Sequence, residues 1–508
     1  MSETPQRSDW PDGPPRVKAD SIDLSRPHMI GMQGELMAPL TQLLTLAGFQ
    51  CTGTDQQMSP DIVQRLRTTV LGITGGEYRT SCAVYSSAIP DDHPDLVTAR
   101  ATGVPLIHRA QALDVLMNEQ RGSFEHVKAS IGVSGSHGKS CTTAMIGWIL
   151  RTVGAGPVVM MGGRWADTAT GAHAGRGETF VAEIDESDRS HLLTHPDIAV
   201  IPALGHEHPE TYSSAADVHA TMLRWACGLP RDATVILCAD DDGTAALAVD
   251  LKALPGLRVL TYGTAPGADV PLTGLHHDHA IATGTAHLPG HDPVHIWAAG
   301  PGLHQVRNAT AAIIAAALRG IDPARAAQAL ASFPGVQRRL LPAGTGRDVT
   351  VVDSYAAHPT EITADLAAAR ALTGTGRLLV AFQPCGLERL VTFGPQIGRA
   401  LACGADQILL LPLHTRYPDP TPERAEHACG QLASQLAQAT GRPLIPSSSN
   451  PRLNAVALAA AAEPGDVILT MGRGDVTGLG THLLQALRTQ GLTRTQPRRR
   501  PRRARRRP

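Results

Sequence analysis

The chain has 508 residues, of which 42% are hydrophobic and 18% are charged, and this length accommodates about three domains of ordinary globular size. It contains no run of about 18 consecutive apolar residues and its first residues are polar, so neither a membrane span nor a secretory signal is predicted. The eight cysteines lack C-x-x-C and zinc-ribbon spacing, which favours free thiols and a cytoplasmic location.

The net charge of −1 is unevenly distributed, because Pro497–Pro508 contain eight arginines and no acidic residue. Removing these eight positive charges from the total leaves −9 for the rest of the chain. Such runs are usually solvated, so a disordered Arg/Pro-rich tail is predicted at residues 489–508, and a disordered leader at residues 1–25. Nucleic-acid binding by the tail is the less favoured alternative, and the oligomeric state is left open.

The first predicted block, residues 26–126, opens with a short strand that runs into the glycine-containing turn Gly31-Met32-Gln33-Gly34 and a helix. Further strands are predicted at residues 52–55, 83–87 and 104–107. Strands that alternate with helical stretches indicate an α/β fold with a parallel, Rossmann-like sheet.

Two more α/β blocks follow, at residues 127–335 and 336–488. In the second block, strands are predicted at residues 129–133, 179–182, 198–201 and 235–237, with short β segments within 265–300 and a helix at 306–317. In the third block, strands are predicted at residues 349–353, 377–382, 407–411 and 466–470, with alanine-rich helices between them.

The sharpest local pattern is Ser134-Gly135-Ser136-His137-Gly138-Lys139-Ser140-Cys141-Thr142, between a predicted strand and a predicted helix at 143–150. Glycines let the backbone approach phosphate groups, which the N–H groups at a helix start can bind. Lys139 is predicted to neutralise the β- and γ-phosphates of ATP, and the Ser140 hydroxyl to bind Mg²⁺. The alternative is an ordinary glycine turn, since Val133 stands where the commonest P-loop has a glycine. The nucleotide-binding residues predicted in this loop are Gly135, Ser136, His137, Gly138, Lys139, Ser140 and Cys141.

Two polar segments follow the next predicted strands. The acidic segment Glu183-Ile184-Asp185-Glu186-Ser187-Asp188 ends the strand at 179–182, where carboxylates can hold Mg²⁺ opposite a phosphate loop. A solvated charge run is the alternative. His206 and His208 follow the strand at 198–201 without the H-E-x-x-H spacing of zinc proteases, and one of them is predicted to serve the magnesium site.

The order of these motifs resembles that of the Mur ligase family over residues 25–488. The further landmarks are Gly302-Leu303-His304-Gln305-Val306-Arg307-Asn308-Ala309, Gly335-Val336-Gln337-Arg338-Arg339, Val352-Asp353-Ser354-Tyr355-Ala356-Ala357-His358-Pro359-Thr360-Glu361, Phe382-Gln383-Pro384 and Met471-Gly472-Arg473-Gly474-Asp475. The resemblance implies a three-domain architecture with an N-terminal Rossmann-like domain that binds the UDP substrate, a central P-loop ATPase domain and a C-terminal Rossmann-like domain. Within the family, the chain is similar to the members that join L-alanine to UDP-N-acetylmuramate.

The resemblance also implies roles for single residues in an ATP-dependent amide ligase of peptidoglycan precursor synthesis. Glu183 and His208 match the family's magnesium ligands, and with Lys139 they are the predicted catalytic residues. Asn308 matches an adenine contact, Arg339 a phosphate contact and Asp353 a ribose contact. The predicted substrate residues are Gly31, Gly34, Ser87, Tyr355, His358 and Arg389, of which Arg389 is expected to pair with the carboxylate of the incoming amino acid.

Departures from the family's pattern cluster at these substrate positions. The family's loop G-x-G-G-x-G-M reads Gly31-Met32-Gln33-Gly34-Glu35-Leu36-Met37 here, and Glu35 brings a negative charge to a loop expected to hold a diphosphate. Ala357, Cys385, Gly386 and Arg473 replace other residues of the family's C-terminal motifs.

Three hypotheses remain open from the sequence. The first is a ligase that joins L-alanine to UDP-N-acetylmuramate. The second is a ligase of the same chemistry with a different carboxylate or amino acid, which the altered substrate positions favour. The third is a non-catalytic relative that binds nucleotide, which the retained phosphate loop and predicted metal ligands disfavour.

Overall fold

The computed structural model of the chain describes residues 12–18, 21–55, 69–70, 80–119, 121–168, 170–278, 281–300, 302–415 and 422–494. The chain forms two units, of which the first ends at Gln337 and the second begins at Arg338. Each unit is built from buried strands covered by helices.

The first sheet of unit 1 has five described strands, all parallel, in the order β3-β2-β1-β4-β5. Its strands are β1 (Pro27–Ile30), β2 (Thr52–Thr54), β3 (Thr69–Val70), β4 (Cys82–Tyr85) and β5 (Leu106–His108), and its helices are α1 (Met37–Leu46), α2 (Pro94–Thr102) and α3 (Arg109–Asn118). The predicted parallel Rossmann-like sheet is thus confirmed. The strand order reverses between β1 and β4, and ligands of such sheets bind where it reverses. The turn after β1 and Ser87 after β4 both lie there.

Part of the segment predicted as a disordered leader packs in this first core. Ile22 and Leu24 are buried among the side chains of α1 and the sheet. Removal of their apolar surface from water stabilises this packing. Order in the structure therefore begins before residue 25. At the other end, the last helix reaches Arg494, past the predicted start of the tail, and the arginine run at 498–507 lies outside the described residues.

The second sheet of unit 1 has ten described strands, in the order β15-β14-β13-β12-β11-β10-β6-β9-β7-β8. They are β6 (Ala129–Val133), β7 (Val158–Met160), β8 (Ala172–Ala174), β9 (Thr179–Glu183), β10 (Ile198–Ile201), β11 (Thr234–Cys238), β12 (Arg258–Gly263), β13 (Val270–His277), β14 (Ile281–Ala286) and β15 (Val294–Ala299). The accompanying helices are α4 (Lys139–Thr152), α5 (Ala215–Cys227), α6 (Asp242–Lys252), α7 (Leu303–Leu318) and α8 (Pro323–Leu330).

The neighbours β10, β6 and β9 at the centre of this sheet are parallel. Each of the three is buried along its length, as continuous apolar runs in a sheet covered on both faces should be. Parallel strands end at the same edge of a sheet, so the segments that follow these three strands come together. They are the phosphate loop, the acidic segment and the histidine segment.

Among its described residues, unit 2 contains a sheet of five strands in the order β16-β17-β20-β18-β19, in which β16 runs antiparallel to its neighbour and the others are parallel. The strands are β16 (Arg339–Gly346), β17 (Val349–Ser354), β18 (Leu378–Gln383), β19 (Gln407–Leu410) and β20 (Val467–Gly472). The helices are α9 (Pro359–Leu372), α10 (Leu387–Gly404), α11 (Pro422–Thr440), α12 (Pro451–Ala461) and α13 (Val476–Arg494). Helix α9 begins with a proline after the capping residue His358, whose ring accepts the N–H of Thr360, a favoured start. No helix among the described residues is long and apolar enough to cross a membrane.

Candidate active site

The phosphate loop connects β6 to α4 and depends on two glycines with left-handed backbone. Gly135 has φ 111° and Gly138 has φ 85°, conformations that L side chains adopt only under strain. A methyl group on Gly138 would also lie 2.9 Å from Asn308 Oδ1, and one on Gly135 would lie 2.6 Å from the Ala203 carbonyl oxygen. The loop therefore packs closely against Ala203 and Asn308. The N-terminus of α4 follows it directly, and helix N-termini bind anions.

Lys139, the first residue of α4, is held inside this loop. Its Nζ donates to the carbonyl oxygens of Gly135 (2.6 Å) and Ser136 (3.3 Å) and pairs with Glu186 Oε1 at 2.9 Å. Burial disfavours the charge on Lys139, but the carboxylate of Glu186 outweighs this and raises the lysine's pKa. The ammonium is thus kept charged where a bound phosphate would meet it.

Ser140 and Glu183 are joined directly. The Ser140 hydroxyl donates to Glu183 Oε1 at 2.7 Å, and the Gly162 N–H donates to Glu183 Oε2 at 2.7 Å. Glu183 is the last residue of β9 and is buried. A hydroxyl and a carboxylate are the hard oxygen ligands that Mg²⁺ prefers, so these two residues fit the predicted metal site.

Glu186 joins this arrangement, although no separate role was predicted for it. The Glu186 side chain is 2% exposed, and its Oε2 has no hydrogen-bond partner among the described residues. A buried carboxylate oxygen without a partner is costly, so this atom offers a further contact to a bound cation. Its position three residues after Glu183, in the same segment after a strand, is the signal that could have identified it.

The structure brings His208 to these acidic groups. Its Nε2 lies 3.6 Å from Glu186 Oε1 and 3.4 Å from Glu207 Oε2. The backbone of His208 is left-handed, with φ 55°, and such strain in a non-glycine residue is typical of functional sites. The His206 ring instead bonds the Tyr212 carbonyl oxygen at 3.0 Å. Of the two histidines, His208 has the geometry for the predicted metal role.

At the first sheet, the turn after β1 contains the predicted substrate glycines. Gly31 has φ 73°, and a methyl group on it would lie 2.6 Å from the Ile89 side chain. The Gln33 N–H donates to Asp55 Oδ2 at 2.8 Å, which ties this turn to the end of β2. Glu35 is exposed in the same turn.

In unit 2, three arginines surround the ring of Tyr355. The guanidinium carbons of Arg338 and Arg339 each lie 5.2 Å from the ring centroid, and that of Arg473 lies 4.2 Å from it. Arg338 also pairs with Asp353 at 3.0 Å. The predicted residues Arg339, Asp353 and Tyr355 therefore form one cluster, to which Arg473 adds a further cation.

The other predicted residues of unit 2 lie at the carboxyl ends of β17 and β18. His358 is buried and packs edge-on against Phe393, with ring centroids 4.9 Å apart. Arg389 is buried, and its Nη1 donates to the Cys385 carbonyl oxygen at 3.3 Å. Both residues thus belong to the edge of the sheet at which ligands of parallel sheets bind.

The Gln383 side chain fastens the loops at this edge. Its Nε2 donates to the Pro412 carbonyl oxygen at 3.1 Å, and its Oε1 accepts the Val476 N–H at 2.8 Å. Gln383 is 2% exposed. One amide therefore connects the end of β18 with the segments after β19 and β20.

His191, a buried histidine that follows the acidic segment in the chain, makes the free energy of unfolding depend on pH. Burial lowers the pKa of His191 from 6.5 to about 4, and the described residues offer its ring nitrogens no hydrogen bond. The unfolded chain binds a proton that the folded chain rejects, so stability is full above pH 6.5 and falls as the pH drops from 6.5 towards 4. The loss should approach about 3 kcal/mol.

This loss can be measured as the change of the thermal midpoint between pH 7 and pH 4.5. Because the His191 ring packs edge-on against Trp225, His191→Phe can keep this contact and should flatten the profile. His219→Asn, at a histidine paired with Asp250, is the control and should leave the profile as it is. Parallel profiles for H191F and the unaltered chain would contradict this assignment.

Three family descriptions match the chain, in the order of its predicted blocks. They are the Mur ligase family catalytic domain at residues 26–121, the Mur ligase middle domain at residues 133–316 and the Mur ligase glutamate ligase domain at residues 338–474. Together they span most of the described chain.

Individual proteins give the same result. The chain is 36% identical over 470 residues to the UDP-N-acetylmuramate–L-alanine ligase of Streptomyces coelicolor, which covers 91% of this chain and 98% of that protein. The crystal structure of the UDP-N-acetylmuramate–alanine ligase of Thermotoga maritima is 21% identical, with a TM-score of 0.73 over 92% of this chain and 99% of that one. A MurF ligase of the same organism in complex with ADP is 16% identical, with a TM-score of 0.57 over 85% of this chain and 92% of that one. These two structures indicate a shared fold.

Proposed function

Since this chain belongs to the Mur ligase family, we propose that it is an ATP-dependent ligase that joins L-alanine to the carboxylate of UDP-N-acetylmuramate, in peptidoglycan precursor synthesis. The observation that supports the chemistry best is the arrangement around the phosphate loop. There, Lys139, Ser140, Glu183 and His208 come together at the ends of three adjacent strands.

In this proposal, the residues of unit 1 prepare a carboxylate for attack. A carboxylate is a poor acyl donor, and transfer of the γ-phosphoryl group of ATP to its oxygen turns it into an acyl phosphate and releases ADP. Lys139 stabilises the negative charge of the transferring group, and the N–H groups at the start of α4 orient the phosphates. Ser140, Glu183 and His208 would hold Mg²⁺, which when bound neutralises phosphate charge.

We assign the acceptor amino acid to unit 2. The buried guanidinium of Arg389 can pair with the acceptor's carboxylate in two parallel hydrogen bonds. The acceptor's neutral amine then attacks the acyl carbon, a C–N bond forms, the C–O bond to phosphate breaks and inorganic phosphate leaves, while the proton that the amine loses passes to the solvent. Exclusion of water from the acyl phosphate would favour ligation over hydrolysis.

A second candidate is a ligase of the same chemistry with a different carboxylate or amino acid. The exposed Glu35 carboxylate in the turn after β1 favours it, because a negative charge there repels a diphosphate. The position of Arg473 over Tyr355 also favours it, because this cation adds to the charge of the unit 2 cluster.

The test is release of phosphate from ATP and Mg²⁺ in the presence of UDP-N-acetylmuramate, with each of the twenty amino acids in turn. We expect release that requires both UDP-N-acetylmuramate and L-alanine. Release with another amino acid would keep the donor and select the second candidate. If no amino acid gives release although ATP binds, the assignment to UDP-N-acetylmuramate is wrong.

A further inference from the structure

The acidic segment after β9 has two sets of contacts. Glu183 and Glu186 contact Ser140 and Lys139 of the phosphate loop. Asp185 and Asp188 instead contact Arg109, the first residue of α3, and Ser87, which follows β4. A segment of six residues thus touches both the nucleotide loop and the domain that carries the predicted substrate glycines.

These contacts of Asp185 and Asp188 are partly buried. Arg109 Nη2 lies 2.7 Å from Asp185 Oδ2 and 3.4 Å from Asp188 Oδ2, with the arginine side chain 9% exposed. The hydroxyl of Ser87, which follows β4, donates to Asp188 Oδ2 at 2.6 Å. Burial disfavours ionisation of Asp188, but Arg109 and His108 outweigh it and hold the pKa of that carboxyl well below its usual range. Asp188 is therefore a charged link between the two sheets.

His108 fixes the direction of the Ser87 hydroxyl. Its Nδ1 accepts the N–H of Ala110 at 3.3 Å, so the ring proton lies on Nε2. This Nε2 is 3.1 Å from Ser87 Oγ and 3.4 Å from Asp188 Oδ2. Ser87 gives its only proton to Asp188, so it has none to donate to a diphosphate oxygen. In this arrangement its side chain contributes to the link.

A second connection runs from the turn after β1. A methyl group on Gly162 would lie 3.4 Å from the side chain of Leu36 and 3.5 Å from Glu183 Oε2, and the Gly162 N–H bonds that oxygen. The predicted substrate turn thus packs beside a predicted metal ligand. Both connections meet in the acidic segment.

We propose that Asp188 is a positioning residue that couples the nucleotide loop to the substrate edge of the first sheet, through Ser87, His108 and Arg109. The inference rests on the proposed function for the place of the two sites, but not on the identity of the substrate. Binding of ATP draws Lys139 and Ser140 to phosphate and metal, which changes their contacts to Glu186 and Glu183. Asp185 and Asp188, in the same short segment, transmit this change to the ends of β4 and β5.

Hydrogen–deuterium exchange of the full chain tests the coupling, with and without a non-hydrolysable ATP analogue and Mg²⁺. We expect the analogue to slow exchange in residues 134–142, where it binds, and also in residues 86–89 and 108–112, by about fivefold or more. In Asp188→Asn, protection of residues 134–142 should remain, whereas that of 86–89 and 108–112 should largely disappear. A structural defect alone would raise exchange with and without the analogue and leave their ratio unchanged.

Two further variants make the result specific. Ser87→Ala removes only one hydroxyl. It should keep the fold and weaken the protection of residues 86–89 and 108–112. Asp269→Asn breaks an aspartate–lysine pair elsewhere in unit 1 and should leave the protection intact. Two results would overturn this inference and leave the proposed function standing. In the first, the analogue protects residues 134–142 but not 86–89 and 108–112. In the second, D188N shows the same protection of 86–89 and 108–112 as the unaltered chain. If the analogue does not slow exchange at residues 134–142 in the unaltered chain, the proposed use of ATP is wrong as well.

Discussion

Replacement of Lys139 by alanine is expected to reduce ATP-dependent phosphate release by about a thousandfold, because the phosphoryl group then transfers without its nearest fixed cation. The ammonium lies within the phosphate loop and is kept charged by Glu186. The measurement is the initial rate of phosphate release at saturating ATP, Mg²⁺, UDP-N-acetylmuramate and L-alanine.

Two variants separate the catalytic effect of Lys139 from a structural one. Lys139→Ala leaves the buried Glu186 carboxylate without its cation, which by itself destabilises a fold. The double variant K139A/E186Q removes that charge, and should regain thermal stability without regaining activity. Lys128→Ala breaks the exposed lysine–glutamate pair with Glu178 and should keep full activity. Substantial activity in the stable double variant would show that Lys139 is dispensable.

Glu183→Gln is expected to lower activity by about a hundredfold or more and to raise the Mg²⁺ concentration needed for half-maximal activity. Glutamine has the shape of glutamate and can still accept the Gly162 N–H. It is neutral, however, and a neutral amide oxygen binds a hard divalent cation more weakly than a carboxylate does. The loss therefore reports the charge of Glu183 and not its volume.

The readouts for Glu183 are the Mg²⁺ dependence of phosphate release and the Mg²⁺ affinity of the complex with a non-hydrolysable ATP analogue. Glu178→Gln alters an exposed carboxylate immediately before the same strand and should leave both readouts unchanged. Addition of EDTA should stop the reaction of the unaltered chain, and excess Mg²⁺ should restore it. An unchanged Mg²⁺ requirement in E183Q would remove Glu183 from the metal site.

The sequence indicated most of the buried strands, including the three-residue strands β2 and β5, but not all of them. Residues 129–133 and 198–201 agree with β6 and β10 because fully buried parallel strands are continuous apolar runs. Strands β7 and β8, of three residues each, were not predicted. Strand β12 was also missed, because it begins with exposed or half-buried residues at Arg258–Leu260.

The phosphate loop could be predicted because its chemistry lies in consecutive residues. The link between Ser87, Arg109 and Asp188 could not, since its partners are 79 and 101 residues apart and meet only when two sheets pack together. The same holds for Arg338 and Asp353, which become neighbours through the antiparallel pairing of β16 and β17. Residues that act through tertiary contacts leave no pattern in a single sequence.

The Gln383 amide that fastens the loops of unit 2 carries no charge. Added salt screens ion pairs such as Arg338–Asp353 at the same sheet edge, but it has little effect on the two bonds of a buried neutral amide. A glutamate at this position could only accept, and would lose the bond to Pro412. Ionic conditions can therefore change how strongly the charged groups of this edge attract an anion while the spacing of its loops stays constant.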